Sequence, residues 1–414
     1  MTTLSSRRAI WVFVALALGY FLSSVLRAVT GTLAPTLATE LSLNAGQLGL
    51  LAGAYFLGFA AMQLPLGSWL DRHGPKRVLV VLLSVEVISC LAFAVANNFW
   101  SLLLARLLGG VGVSACLMAP LTGYRSWLEP QQQVRANSWM LMAGSFGLVA
   151  ATLPVQWALP VFGWRPLFVI IAGLFVLTIV ATARQLPVWE TAAPSRTQRT
   201  GYAAIVRNPY FRRVAPLALI SYGSLVAVQT LWATQWMTRV AGYTPSQASS
   251  GLFAINFTML VVFWIWGAVT PRLARAGLTA DRLMLRGLPL GFLALAGVAV
   301  LGEHAGWTAI AAFLALASFI SVSHPAVAMA FPAHEAGRAV SAFNLLLFLG
   351  AFAWQWLIGV LVDLLHSWNW SDLAAYRFAF GALAGCWALS YLWYAAQASA
   401  GPARAGEQLA AAKA

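Results

Sequence analysis

Long apolar stretches without interruption are the feature that most restricts this chain. Segments near 9–37, 46–70, 78–97, 99–124, 136–162, 164–186, 214–239, 248–270, 284–302, 306–331, 340–366 and 374–397 each run close to, or beyond, the roughly 20 residues a helix needs to cross a hydrocarbon layer. Between them lies too little charge for a water-soluble surface. Only 9% of the 414 residues are charged, against about a quarter in a soluble domain. The stretches are continuous instead of alternating, which excludes a membrane β-barrel. In lipid the backbone must then satisfy itself within each segment. The sequence therefore predicts an all-α integral membrane protein of twelve transmembrane helices, with the lipid bilayer as its solvent.

A net charge of +14 raises the question of nucleic acid, and the placement of the cations answers it. Numbering the connections alternately puts 20 of the 25 Lys and Arg residues on the side of the two termini, among them Arg7, Arg8, Arg72, Arg135, Arg196, Arg199, Arg213, Arg275, Arg404 and Lys413. Arg165, Arg239 and Arg377 face the other way, and Arg27 and Arg106 fall inside spans. This asymmetry is the positive-inside pattern, so both termini are expected in the cytoplasm of a bacterial-type inner membrane, with no nucleic-acid partner. Cys90, Cys116 and Cys386 stand singly in spans, so neither a disulfide nor a metal site is expected. The first span is too long and too polar in its middle for a cleavable signal and is expected to be retained. No phosphate-binding loop, no H-E-x-x-H and no G-x-S-x-G is present, which argues against an enzyme and against a cofactor.

The longest polar connection divides the spans six and six. The expected organisation is a six-helix bundle over 1–186, a cytoplasmic linker over 187–213, a second six-helix bundle over 214–398 and a cytoplasmic tail over 399–414. An internal repeat supports the division, because Gln47, Gly67 and Arg72 recur as Gln247, Gly267 and Arg272 at a constant offset. Paired six-helix repeats are a transporter architecture, with substrate bound near the midplane.

The loop after the second span carries Gly67, Asp71, Arg72, Gly74, Lys76 and Arg77, and it resembles the signature loop of the major facilitator superfamily. Its second copy, Gly267 to Arg286, has Pro271 where the first has Asp71. Arg106, Gly110 and Gly112 are similar to that family's fourth-helix motif, and Gly163 to Phe168 also has a family look. The resemblance implies a 6+6 pseudo-twofold fold, alternating access and a functional monomer, with spans one, four, seven and ten lining a central cavity. Physically, the glycines permit a tight turn and close helix approach. Asp71 can accept from cations and helix N-termini, forming a cytoplasmic latch that breaks when the cavity opens inward. These six loop residues are the candidate gate.

Ionisable residues inside spans are functional candidates, because they face a bundle interior or a water-filled cavity. Arg27 lies on a stripe of Tyr20, Ser23, Ser24, Thr30 and Gly31, which should not face lipid. Its surroundings resemble organic-anion symporters of the superfamily, in which a first-helix arginine binds phosphate or carboxylate. A guanidinium suits that task, being permanently charged and able to hold an oxyanion through two parallel hydrogen bonds. Gln229, Trp232 and Trp236 on the seventh span, His324 before Pro325 on the tenth, and Asn344 and Gln355 on the eleventh complete the substrate candidates. Glu86 and Arg106, on adjacent spans, either form an ion pair or bind a proton whose affinity Arg106 tunes, and His324 is a third proton candidate.

No candidate lining residue is acidic, which argues against an organic cation. The expected function is secondary active transport of a small organic anion, of carboxylate or phosphate type, those with an apolar or aromatic part included, coupled to protons. The alternative is a proton-driven multidrug or metabolite exporter.

Overall fold

A computed structural model of the chain describes residues 6–187, 189 and 202–397, and these are helices joined by short turns, with no strand among them. Arg196, Arg199, Arg404, Lys413, most of the region before α8 and the 399–414 tail lie outside the described residues. In chain order the helices are α1 (Ser6–Glu40), α2 (Ala45–Val95), α3 (Phe99–Gly112), α4 (Met118–Trp127), α5 (Pro130–Ala150), α6 (Leu153–Phe162), α7 (Trp164–Gln185) and α8 (Tyr202–Arg207). They continue as α9 (Pro209–Ala227), α10 (Ala233–Arg239), α11 (Pro245–Arg275), α12 (Ala280–Leu301), α13 (Trp307–Ala317), α14 (Ser323–Met329), α15 (Ala333–Ser367) and α16 (Asp372–Ala396).

Among the described residues nine helical stretches are long and apolar enough to cross a membrane, and ten if the pair α5 and α6, bent by 46°, counts as one. The 51-residue α2 is broken at Gly74, whose φ of 75° and ψ of 162° are not helical. At about 1.5 Å per residue it is roughly 76 Å long, more than twice the ~30 Å hydrocarbon thickness. Only glycine fits at the break, since a Cβ there would also lie 2.2 Å from the ring of Trp189.

Two spans are irregular inside the membrane. A π-helical turn, Val228–Trp232, joins α9 to α10, and a 3₁₀ segment, Ser318–Val322, joins α13 to α14. Pro325 follows directly in α14, where its missing N–H removes a rung of the ladder.

The chain separates into two compact units, 1–43 with 54–196, and 44–53 with 197–414. The opening turns of α2 thus belong with the second unit. Within the first unit α1 packs on α5 and α7. There α2 and α3 approach through glycine: a Cβ on Gly110 would lie 1.9 Å from the Tyr55 carbonyl oxygen, and one on Gly58 2.1 Å from that of Leu107. Within the second unit α9 packs on α15, and α12 on α13 and α16. Gly350 brings α15 onto α9, where a Cβ would lie 2.1 Å from the Leu219 carbonyl oxygen. Such small-residue contacts stand in for a hydrophobic drive that lipid does not supply between helices. Large apolar side chains such as Trp157, Val161, Val300 and Leu389 are exposed, as lipid-facing residues must be.

Candidate functional site

The candidate residues fall into one cluster in each unit. In the first, α1 turns its polar stripe inward. Ser23, Ser24 and Thr30 are buried, and the Tyr55 hydroxyl donates to the Ser23 carbonyl at 3.0 Å. Arg27 is half-buried, with its guanidinium 5.9 Å from the Phe59 ring centroid and in contact with the Tyr20 hydroxyl. A cation framed by two aromatic side chains, with apolar helix around it, attracts an anion more strongly than it would in water.

Arg106 is buried on α3 and bonds back to α1 through Nη1 to the Leu26 carbonyl at 3.0 Å and through Nη2 to the Thr30 hydroxyl. Its guanidinium also lies 5.1 Å from the Tyr55 ring centroid. The ion pair expected as one reading of Glu86 and Arg106 is not formed, because Arg106 spends these donors on α1. Glu86 is 1% exposed and, among the described residues, accepts only from the Cys90 thiol at 3.2 Å, with no hydrogen-bond partner for Oε2.

In the second unit the amides and indoles interlock. Gln229 Nε2 donates to Asn256 Oδ1 at 2.9 Å, and Gln355 Nε2 to the Thr230 hydroxyl at 2.7 Å. Trp232 Nε1 donates to the Gln355 carbonyl at 3.2 Å, and Trp236 Nε1 to that of Ala305 at 2.9 Å. Both indoles are wholly buried, and Trp236 stacks on Phe380. The aromatic wall expected on the seventh span is closed in this structure: these side chains pin helices together. His324 and Asn344 are brought together as a pair, Nε2 to Oδ1 at 3.0 Å, with Tyr222 and Phe343 against the imidazole.

The loop candidates lie apart from both clusters. Asp71, Arg72 and Arg77 are exposed, Gly67 has open space around it, and Lys76 donates to the Leu186 carbonyl at 3.3 Å. The Asp71 carboxylate makes no hydrogen bond or ion pair among the described residues, and only its backbone oxygen is used, by Trp189 Nε1 at 3.3 Å. The latch expected of it is not engaged among the described residues.

Several polar groups escaped the sequence reading. Arg213, counted there among the loop cations, is 1% exposed and faces Asp281 Oδ2 at 3.3 Å. Asp281 Oδ1 accepts from Tyr210 and Tyr394 at 3.0 and 2.7 Å. The Trp354 indole N–H and the Tyr124 hydroxyl are buried with no partner. Among the described residues no group of His, Cys, Asp or Glu could hold a metal ion.

The family model of the Major Facilitator Superfamily matches residues 16–354. A "probable sulfoacetate transporter" of Cupriavidus necator is 24% identical over 302 residues, covering 68% of this chain and 69% of that protein. A gallate transporter of Pseudomonas putida is 26% identical over 267 residues, covering 58% and 59%. Among solved structures, a bacterial homologue of the human lysosomal transporter Spinster, inward-facing and occupied, superposes with a TM-score of 0.72 at 18% identity, covering 96% of this chain and 98% of that one. At that identity it shows the fold alone.

Proposed function

Since the chain belongs to the Major Facilitator Superfamily, and is therefore a multi-pass membrane transporter and not an enzyme, we propose that it carries a small organic anion by proton-coupled alternating access. The cargo is of carboxylate type, and Arg27 is its charge contact. The observation that carries this reading is the Arg27 guanidinium, set in the membrane on α1 between Tyr20 and Phe59, with no acidic residue among the candidate lining positions. The relatives' names agree in kind, since sulfoacetate and gallate are both organic acids.

The reading includes twelve crossings. Dividing α2 at Gly74 and joining α3 to α4 across their short turn completes that number, in bundles over 1–186 and 214–398. The protein would sit as a monomer in an inner membrane with both termini cytoplasmic, and the loop from Gly67 to Arg77 would serve as the cytoplasmic gate.

Thermal stabilisation of the purified protein by a panel of carboxylates, phosphates, organic cations and neutral lipophiles tests this. A ligand at about 100 times its Kd stabilises the folded state by about 2.7 kcal/mol. Carboxylates should stabilise the wild type and not Arg27→Ala, with Arg27→Lys between them because it keeps the charge but not the fork. Equal stabilisation of wild type and Arg27→Ala by cations or neutral compounds would overturn the anion reading in favour of an exporter.

A further inference from the structure

A carboxyl group of the first unit's cluster, Glu86, is fully enclosed and has no ion-pair partner among the described residues. Among the described residues Glu86 has no basic nitrogen within 4 Å, receives one weak thiol bond at 3.2 Å, and leaves Oε2 without a hydrogen bond. The helix opposite is stripped to glycine. A Cβ on Gly112 would lie 2.6 Å from the Glu86 backbone nitrogen, and one on Gly109 3.5 Å from each carboxyl oxygen. An ionised carboxylate so placed would be uncompensated in low-dielectric surroundings, so this geometry holds the neutral acid.

The titratable and charged groups near it come from three elements: Cys90 on its own helix, Tyr55 on the earlier part of α2, and Arg106 and Cys116 on α3 and the turn that follows. Arg106 is the only cation among them. It is turned to α1, where it holds the Leu26 carbonyl and the Thr30 hydroxyl, while its Nε is buried with no partner. Leu26 adjoins Arg27 in sequence and Thr30 follows it by three residues.

We propose that Glu86 is the proton-binding group of the transport cycle and that Arg106 is the switch that reports its state to α1. This rests on the proton-coupled reading above. With Glu86 protonated, Arg106 holds α1 through the Leu26 carbonyl and the Thr30 hydroxyl. When the Glu86 O–H bond breaks and the proton leaves to solvent, the carboxylate competes for the guanidinium, and Arg106 releases the segment that carries Arg27. By linkage, whatever Arg27 binds must in turn alter proton binding at Glu86.

The test uses the full chain in proteoliposomes. Infrared spectra of the wild type without substrate should show the carbonyl stretch of a buried protonated carboxylic acid at neutral pH. The band should be absent from Glu86→Gln, which is isosteric with the neutral acid and should fold. Thr30→Val, which removes one α1 partner of Arg106, should shift the pH midpoint of the band, an effect a merely structural carboxyl would not show. Uptake of gallate and of sulfoacetate gives the second readout. A gradient of one pH unit supports about tenfold accumulation per coupled proton, and Glu86→Gln should lose it while keeping the monodisperse elution and helical circular-dichroism spectrum of a folded chain. No such band in the wild type overturns the proposal, as does gradient-driven accumulation by Glu86→Gln at the wild-type level. If the wild type accumulates neither anion, the transport role falls with the reading beneath it, while the band still decides whether Glu86 holds a proton.

Discussion

Replacing Asp363 with alanine should loosen the start of the second span by an amount the structure allows to be worked out. Asp363 Oδ1 accepts the Ala45 N–H at 3.0 Å and Oδ2 accepts the Gly46 N–H at 2.7 Å. The carboxylate therefore satisfies two of the orphan donors at the N-terminus of α2 from a residue on α15, some three hundred positions away. The helices touch beside it, since a Cβ on Gly359 would lie 2.3 Å from the Ala45 carbonyl oxygen and one on Gly49 2.2 Å from that of Gln355. A hydrogen bond to a charged group is worth about 1.5–3 kcal/mol net, and partial exposure of Asp363 reduces each bond here to about 1 kcal/mol. Asp363→Ala then costs about 2 kcal/mol and Asp363→Asn, which keeps one acceptor oxygen, about 1 kcal/mol. The first figure is about a thirtyfold shift toward the loosened arrangement. Leu48, 3% exposed, lies in this first turn and is a suitable reporter. In a background with Cys90, Cys116 and Cys386 replaced, Leu48→Cys should react with a maleimide about thirtyfold faster when Asp363→Ala is added, provided opening is fast relative to labelling. The Asn variant should fall between. An unchanged rate in both would show that water already screens the carboxylate and that the glycine contacts alone hold α2 in place.

Two further outcomes concern stability. Gly110→Ala puts a Cβ 1.9 Å from the Tyr55 carbonyl oxygen, which cannot move without its helix, so α2 and α3 must part. A loss of about 1–3 kcal/mol or more is expected as a lower thermal midpoint, while Gly173→Ala, with open space around it, should be neutral. Asp281→Asn strands the Arg213 guanidinium at 1% exposure and should cost about 3–5 kcal/mol. Adding Arg213→Met should recover much of that loss, because the uncompensated charge goes with it. Failure of the double variant to recover would mean that the Tyr210 and Tyr394 bonds to Asp281, and not the charge, hold this end of α9, α12 and α16 together.

Much of the architecture could be read from the residues alone because it depends on local properties. A span is a run of neighbours, so its extent is visible in any window of about twenty residues. Gly74 was legible as a turn residue because glycine alone permits the tight turn of its loop, and the chain does break there. The inward polar stripe of α1 followed from spacing, and the burial of Ser23, Ser24 and Thr30 agrees with it. His324 and Asn344 were chosen separately as candidates, yet nothing in either segment indicated that they would bond to each other.

Side-chain partnership was out of reach. Arg106 and Glu86 looked like a pair because they lie on successive spans and are opposite in charge. The fold instead gives Arg106 a carbonyl and a hydroxyl on α1, eighty and seventy-six positions away, and leaves Glu86 with a thiol. Arg213 looked like one more cytoplasmic cation, and only the convergence of α9, α12 and α16 encloses it with Asp281. Trp232 and Trp236 looked like lining because aromatics beside amides form an amphipathic face, but they are wholly buried with their indole N–H groups engaged.

The division has one physical cause. Hydropathy, charge asymmetry and turn chemistry are sums over adjacent residues, so membrane insertion, the helical state and the family follow from the order of amino acids. Which donor meets which acceptor is set by how helices distant in sequence settle against one another at glycine contacts such as Gly110 on Tyr55 and Gly350 on Leu219, and those distances exist only in the folded molecule.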